Sequence, residues 1–218
     1  MPWYVKDYTT QASTWGYAEG SLEANSNALM IWSILGAQGW SENAVSAVCG
    51  NIQHESRMNP WLWQSGIKLN SNDYSGIHTQ NGHAYGLCQW DPASKYIDNG
   101  TGYAGYGPHY SNQTGSFNEG DAQMLYLNAQ GASNWFPRGG HNMTFNEFKN
   151  SMLSVSYLAE VWLYNYEFPG NIQQQIPIRT ASANYYYSVI HGVPPGPTPT
   201  RRKGMPLWMK TIPYLNQY

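Results

Sequence analysis

The sequence is short of charge. Only 11% of its 218 residues are Asp, Glu, Lys or Arg, and the formal net charge is −2. A near-neutral balance excludes nucleic-acid binders whose affinity rests on clustered cations facing phosphates. Cysteine is nearly absent as well, with Cys49 and Cys88 the two. Without a CxxC pair or a third cysteine, a cysteine-built zinc site is excluded, while one disulfide and two buried thiols both stay open. His54-Glu55 opens like the HExxH zinc motif, but Met58 stands where the second His is required. Long apolar runs are missing too. The longest, around Ala28–Ala37, is interrupted by Ser33 and Gly36 and falls short of the roughly 20 residues that span a bilayer. The opening residues, Met1–Asp7, show no basic stretch followed by an apolar one, so no signal peptide is expected. The expectation is a chain with no metal, cofactor, membrane span or nucleic-acid partner.

What is abundant is aromatic and amide. Aromatics make up 15% of the chain, including 10 Trp and 18 Tyr, and Asn plus Gln outnumber all charged residues. Apolar residues at 41% suffice for a core. A surface of aromatic faces and amides suits a neutral, extended, hydroxyl-rich ligand such as a glycan. Composition weighs this no more heavily than a bias toward Asn and Tyr without ligand meaning.

Local signals divide the chain into three parts. Residues 1–24 lack helical periodicity and read as an N-terminal arm. A domain follows over residues 25–191. Its first helix starts at Asn25 or Ser26 and carries Ala28, Ile31, Trp32 and Leu35 on one face. Ser41 caps a second helix, with Ala44, Val45, Val48, Cys49 and Ile52 marking its buried stripe, and Pro60 requires it to stop first. Residues 61–116, rich in Gly, Asn, Ser, Tyr and Trp, predict loops and a small sheet. Ser116-Phe117-Asn118-Glu119 and Thr144-Phe145-Asn146-Glu147 fit capping boxes. Further helices are expected over about Val155–Tyr166 and Arg179–Ile190. Residues 192–218 combine a proline-rich linker, the basic Arg201-Arg202-Lys203 and an apolar, aromatic end, read as a segment that docks onto a larger assembly or packs back on the domain.

Glu55 is the focal residue. It falls at the end of the second helix beside the buried stripe, where a carboxylate needs a partner. Burial, apolar Trp61, Trp63 and Trp90, and the negative helix C-terminus would all favour its protonated form, as a general acid for glycoside cleavage requires. The structural alternative is a Glu ion-paired to a Lys or Arg. A Cys–His hydrolase is disfavoured, because Cys49 falls mid-helix on the apolar face and Cys88 in a strand or loop.

The motifs around Glu55 are more specific. Glu55-Ser56, Asn59-Pro60 and Tyr85-Gly86-Leu87-Cys88-Gln89-Trp90 resemble the lysozyme-like superfamily, in which a helix-borne Glu-Ser pair faces a Gly-Leu-x-Gln motif. More narrowly, Gly39–Ala44, Gly50–Ser56, Asn59–Gln64, Tyr85–Trp90 and Tyr166-Glu167-Phe168-Pro169 together resemble the phage tail lysozyme family, in order, from about Asn27 to Ile190. The resemblance implies an α+β fold: a mainly helical lysozyme-like domain with a small loop-rich β region forming one lip of a cleft. It implies cleavage of the β-1,4 bond between N-acetylmuramic acid and N-acetylglucosamine of bacterial peptidoglycan, by a virion protein that breaches the host wall; residues 192–218, outside the matched stretch, are then read as the segment that docks onto other tail proteins.

By that resemblance Glu55 protonates the bridging oxygen. Ser56 holds Glu55 or the local backbone, and Gln89 bonds a substrate acetamido group or the facing loop. Trp63, Tyr85, Trp90 and Tyr103 are expected to stack on sugar rings, with half or more of them serving as core. Similar sequences have Arg where this chain has Phe168, so Glu167 reads as structural, with Arg179 an alternative partner for it. The second carboxylate falls to Asp73 or Asp91, with Asp98 and Glu167 behind them. A hydrolase needs such a partner roughly 5 Å or 6.5–9.5 Å from the acid. If no carboxylate faces Glu55, the site resembles lytic transglycosylases, where one acid makes both proton transfers and the muramyl 6-hydroxyl attacks. A non-catalytic tail or wall-binding protein of the same fold is the rival from another class.

Overall fold

A computed structural model describes residues 3–6, 16–64, 77–100 and 119–196. Seven α-helices run through them: α1 (Leu22–Ala37), α2 (Glu42–Glu55), α3 (Ser94–Gly100), α4 (Glu119–Gln130), α5 (Phe145–Lys149), α6 (Val155–Trp162) and α7 (Ile172–Ile190). The expected β lip is not seen. Among the described residues β pairing is confined to isolated antiparallel bridges, Trp63 with Tyr85 and Tyr85 with Trp90. None of the described helices is long and apolar enough to cross a membrane.

Short-range chemistry explains most helix ends. Ser41 caps α2 by accepting from the Ala44 amide at 3.1 Å. Thr144 and Glu147 close both halves of a capping box on α5. Helix α1 begins earlier than its apolar period suggests, because Ser21 caps it and Leu22, Glu23 and Ala24 are good helix formers, with Glu23 on the positive end. Helix α7 begins earlier as well and runs through Pro177. One missing amide is outweighed there by the packing of α7 against α2 and α6.

That packing positions the site. At Gly50 a side-chain carbon would come within 2.5 Å of the Ala183 backbone, so only glycine lets α7 lie this close to α2. Asn51, fully buried, donates to the carbonyls of Ala47 (2.9 Å) and Ala159 (3.2 Å), tying α2 to α6. The residues after α2 turn sharply, with Arg57 and Met58 in the left-handed region at φ 49° and 61°. Buried Asn27 and Asn59 hold this turn to the N-terminal arm. Asn27 donates to the carbonyls of Tyr4 (2.7 Å) and Met58 (2.8 Å), and Asn59 donates to that of Lys6 (3.1 Å). Trp3 continues the arm into the core and donates to Asp121 at 2.7 Å. At the other end, Val193 accepts a bond from the Trp32 indole at 2.6 Å, so the linker starts against α1.

Among the described residues the aromatics are largely core. Trp162 is fully buried and stacks on Tyr166 at 4.2 Å. Trp90 stacks on Tyr96 at 5.0 Å, and Trp135 packs between Phe145, Phe148 and Trp162. Cys49 and Cys88 are free, buried thiols, and burial pushes both away from the reactive thiolate form.

Candidate active site

Glu55 sits at the last turn of α2 with its side chain 20% exposed. Its Oε1 lies 2.5 Å from a guanidinium nitrogen of Arg179 on α7. Arg179 is itself buried and reaches Asn51 through a second nitrogen, at 3.3 Å to the side-chain oxygen and 3.4 Å to the carbonyl. Gly50 admits α7, Asn51 seats the Arg, and the Arg holds Glu55. The Gly-Asn pair preceding the Glu by one turn thus has a physical role that the sequence did not disclose. The carboxylate has the ion-pair partner of the structural alternative, and Arg179 takes Glu55, not Glu167.

Glu167 completes the cluster. Helix α6 continues into a π-helical turn, Leu163–Glu167, that ends at Phe168 in the left-handed region, and such turns concentrate at functional sites. The Trp162 indole donates to Glu167 Oε1 at 3.0 Å. Burial pushes the Glu167 carboxyl up to about 8, and the nearby charge of Glu55 adds to this against the opposing effect of Arg179. Two carboxyls and one guanidinium therefore share one site. The available signal was the Tyr-Glu-x-Pro motif, although nothing local ties it to Glu55.

The predicted lip aromatics Trp63, Tyr85 and Trp90 are brought together, but facing inward. Tyr85 is fully buried and donates its hydroxyl to buried Glu119 at 2.8 Å. Trp63 packs on Tyr85, ring centroids 4.5 Å apart, and Trp90 donates to the Tyr166 hydroxyl at 2.9 Å. With Trp63 and Trp90 each 4% exposed, the three rings pack as core and offer no open face for a sugar. Gln89, at φ 45°, donates through its side-chain nitrogen to the carbonyls of Gly86 (2.8 Å) and Leu62 (3.0 Å), holding the facing loop. Ser56 is buried, and its hydroxyl contacts the Ile52 carbonyl at 3.4 Å, so it serves the helix end. Asp91 is exposed and accepts from the Gly82 amide at 2.7 Å, while Asp98 pairs with His78 at 3.2 Å. Asp73 and Tyr103 lie outside the described residues.

Residues 26–190 match the family described as phage tail lysozyme. Morphogenesis protein 1 of Bacillus phage B103 is 31% identical over 171 residues, which are 78% of this chain and 40% of that protein. The chain thus spans less than half the length of this curated relative.

Proposed function

The chain belongs to the phage tail lysozyme family, and we propose that it cleaves the β-1,4 bond between N-acetylmuramic acid and N-acetylglucosamine in bacterial peptidoglycan. The observation that carries this reading is the Glu55–Arg179–Glu167 cluster at the end of α2. Burial pushes the Glu167 carboxyl up to about 8, so a protonated carboxyl lies in the site at neutral pH. A proton delivered by Glu55 to the bridging oxygen makes the sugar a leaving group. Arg179 fixes the orientation of Glu55 and offsets the charge left behind. In its biological setting the chain acts from the virion tail, opening the host wall during genome delivery, with residues 192–218 as the attachment to other tail proteins.

A second chemistry is favoured by one observation. Among the described residues the lip carboxylates Asp91 and Asp98 are engaged with Gly82 and His78, which leaves both site carboxyls on the helical side. Lytic transglycosylation needs no carboxylate across the sugar, because the muramyl 6-hydroxyl attacks in place of water.

Replacing Glu55 with Gln tests the reading through the turbidity of purified walls. Clearing should slow by about 10²–10⁴-fold, the usual worth of a positioned acid. Undiminished clearing would sink the assignment. Product masses divide the two chemistries, since free reducing ends mark hydrolysis and 1,6-anhydromuramyl ends mark transglycosylation.

A further inference from the structure

Of the aromatics expected to meet sugar, Trp63, Tyr85 and Trp90 are buried, but two rings outside the lip are not. Among the described residues, Phe136 and Phe168 are the aromatics more than half exposed, at 55% and 53%. Both lie against one cation. The Arg138 guanidinium carbon is 3.9 Å from the Phe168 ring centroid and 5.5 Å from that of Phe136. Arg138 is exposed and has no carboxylate within ion-pair distance among the described residues.

The group is held in place. Phe168 directly follows Glu167 and adopts φ 48°, ψ 56°, a conformation that L-residues rarely take outside sites that over-determine it. Asn165, 2% exposed, fastens the Arg138 loop to the same π-helical turn. Its side-chain oxygen accepts from the Arg138 amide (2.9 Å), its side-chain nitrogen donates to the His141 carbonyl (2.9 Å), and its backbone carbonyl accepts from Phe136 (2.8 Å). Gly139, at φ 59°, would drive a side-chain carbon to within 2.6 Å of the Tyr164 ring, so the loop closes tightly on the turn.

We propose that Phe168 and Arg138, edged by Phe136, form a substrate subsite for the muramyl residue and its stem peptide. The Phe168 ring would pack on the sugar or lactyl face, and the open edge of the Arg138 fork would bind a stem carboxylate. Stacking on the ring leaves that edge free and pre-orients it. The proposal rests on the glycan-cleaving reading and adds to it the recognition of the peptide-bearing sugar.

The test is co-sedimentation with walls freed of anionic polymers, before and after an amidase removes the stem peptides and the lactyl carboxylates this uncovers are blocked as neutral amides. Full-length protein carrying Glu55→Gln is compared with the same protein carrying Arg138→Gln or Phe168→Ala in addition. The pairs are repeated on ice without the Glu55 substitution, and thermal melts verify folding. Arg138→Gln should weaken binding to peptide-bearing walls by about tenfold and leave binding to stripped walls unchanged. Phe168→Ala should weaken both. The subsite is overturned if Arg138→Gln binds peptide-bearing walls as its parent does, or loses equally on stripped ones. Continued digestion by the Glu55→Gln protein would defeat the catalytic reading alone, because sedimentation reads the subsite without catalysis.

Discussion

The helical frame and the lip use the same kinds of polar side chain to opposite ends. In the frame, α2, α6 and α7 leave Glu55 partly exposed and gather Arg179 and Glu167 around it. In the lip, polar groups are consumed in holding loops together. Gln89 bonds Gly86 and Leu62, Tyr85 bonds Glu119, and Asp91 bonds Gly82. Buried Gln123 on α4 completes the pattern, accepting from Leu87 (2.7 Å) and donating to Pro60 (2.8 Å). A segment with little regular structure has backbone groups that helices and sheets would otherwise satisfy, and its side chains must supply those bonds. Helices satisfy their own backbone, which frees their side chains for chemistry.

The largest effect should come from breaking the frame at Arg179. Arg179→Ala leaves Glu55 without its cation and removes a partner of Asn51. Loss of one member of a buried pair typically costs about 3–5 kcal/mol. Chemical unfolding should register a loss of that order, with wall clearing falling too. Adding Glu55→Gln should recover part of the lost stability, since the stranded charge goes with it. If the two substitutions instead destabilise additively, the ion pair does not organise the frame.

A smaller effect tests Glu167. Its folded pKa of about 8 exceeds the ordinary carboxylate value, so between roughly pH 4.5 and 8 the folded chain holds a proton that the unfolded chain has lost. This contribution is fully present below the unfolded value and is lost as pH rises through the folded one. Stability should therefore decline across that window in the wild type and stay flatter in Glu167→Gln. Melting temperatures at pH 4.5, 6 and 8 provide the check. Parallel profiles for the two proteins would mean that Glu167 is not held neutral beside Glu55.

The frame was legible in the sequence wherever neighbours in the chain carry the signal. Ser41, Thr144 and Glu147 announce helix starts through their own hydrogen bonds, and the apolar stripe of α2 places Glu55 beside the core. What stayed hidden depends on partners far along the chain. Arg179 and Asn51 are separated by 128 positions, and their meeting depends on Gly50 admitting α7. The early start of α7 is hidden locally, because Pro177 lies within its first turns and tertiary packing overrides the break a proline favours. The lip stays undecided in the sequence for another reason. Trp63, Tyr85 and Trp90 have the residue types of both a sugar platform and a core, and composition cannot tell which way a ring faces.

The smallest expected effect bears on Asp91, the lip carboxylate that sequence offered as a partner for Glu55. Its side chain is exposed and accepts one amide bond from Gly82, a bond that the side-chain carbonyl introduced by Asp91→Asn can also accept. That variant should lose about 0.5 kcal/mol or less, as surface changes usually do, and should clear walls at a rate within about twofold of the wild type, since twofold is under 0.5 kcal/mol of barrier. A fall comparable to that of Glu55→Gln, with the melting temperature unchanged, would put a reacting carboxylate on the lip. It would also decide against transglycosylation, which has no role for a second carboxylate facing the sugar. The division of labour between a chemical frame and a self-satisfied lip would then fail at the position where an open carboxylate is easiest to mistake for a bystander.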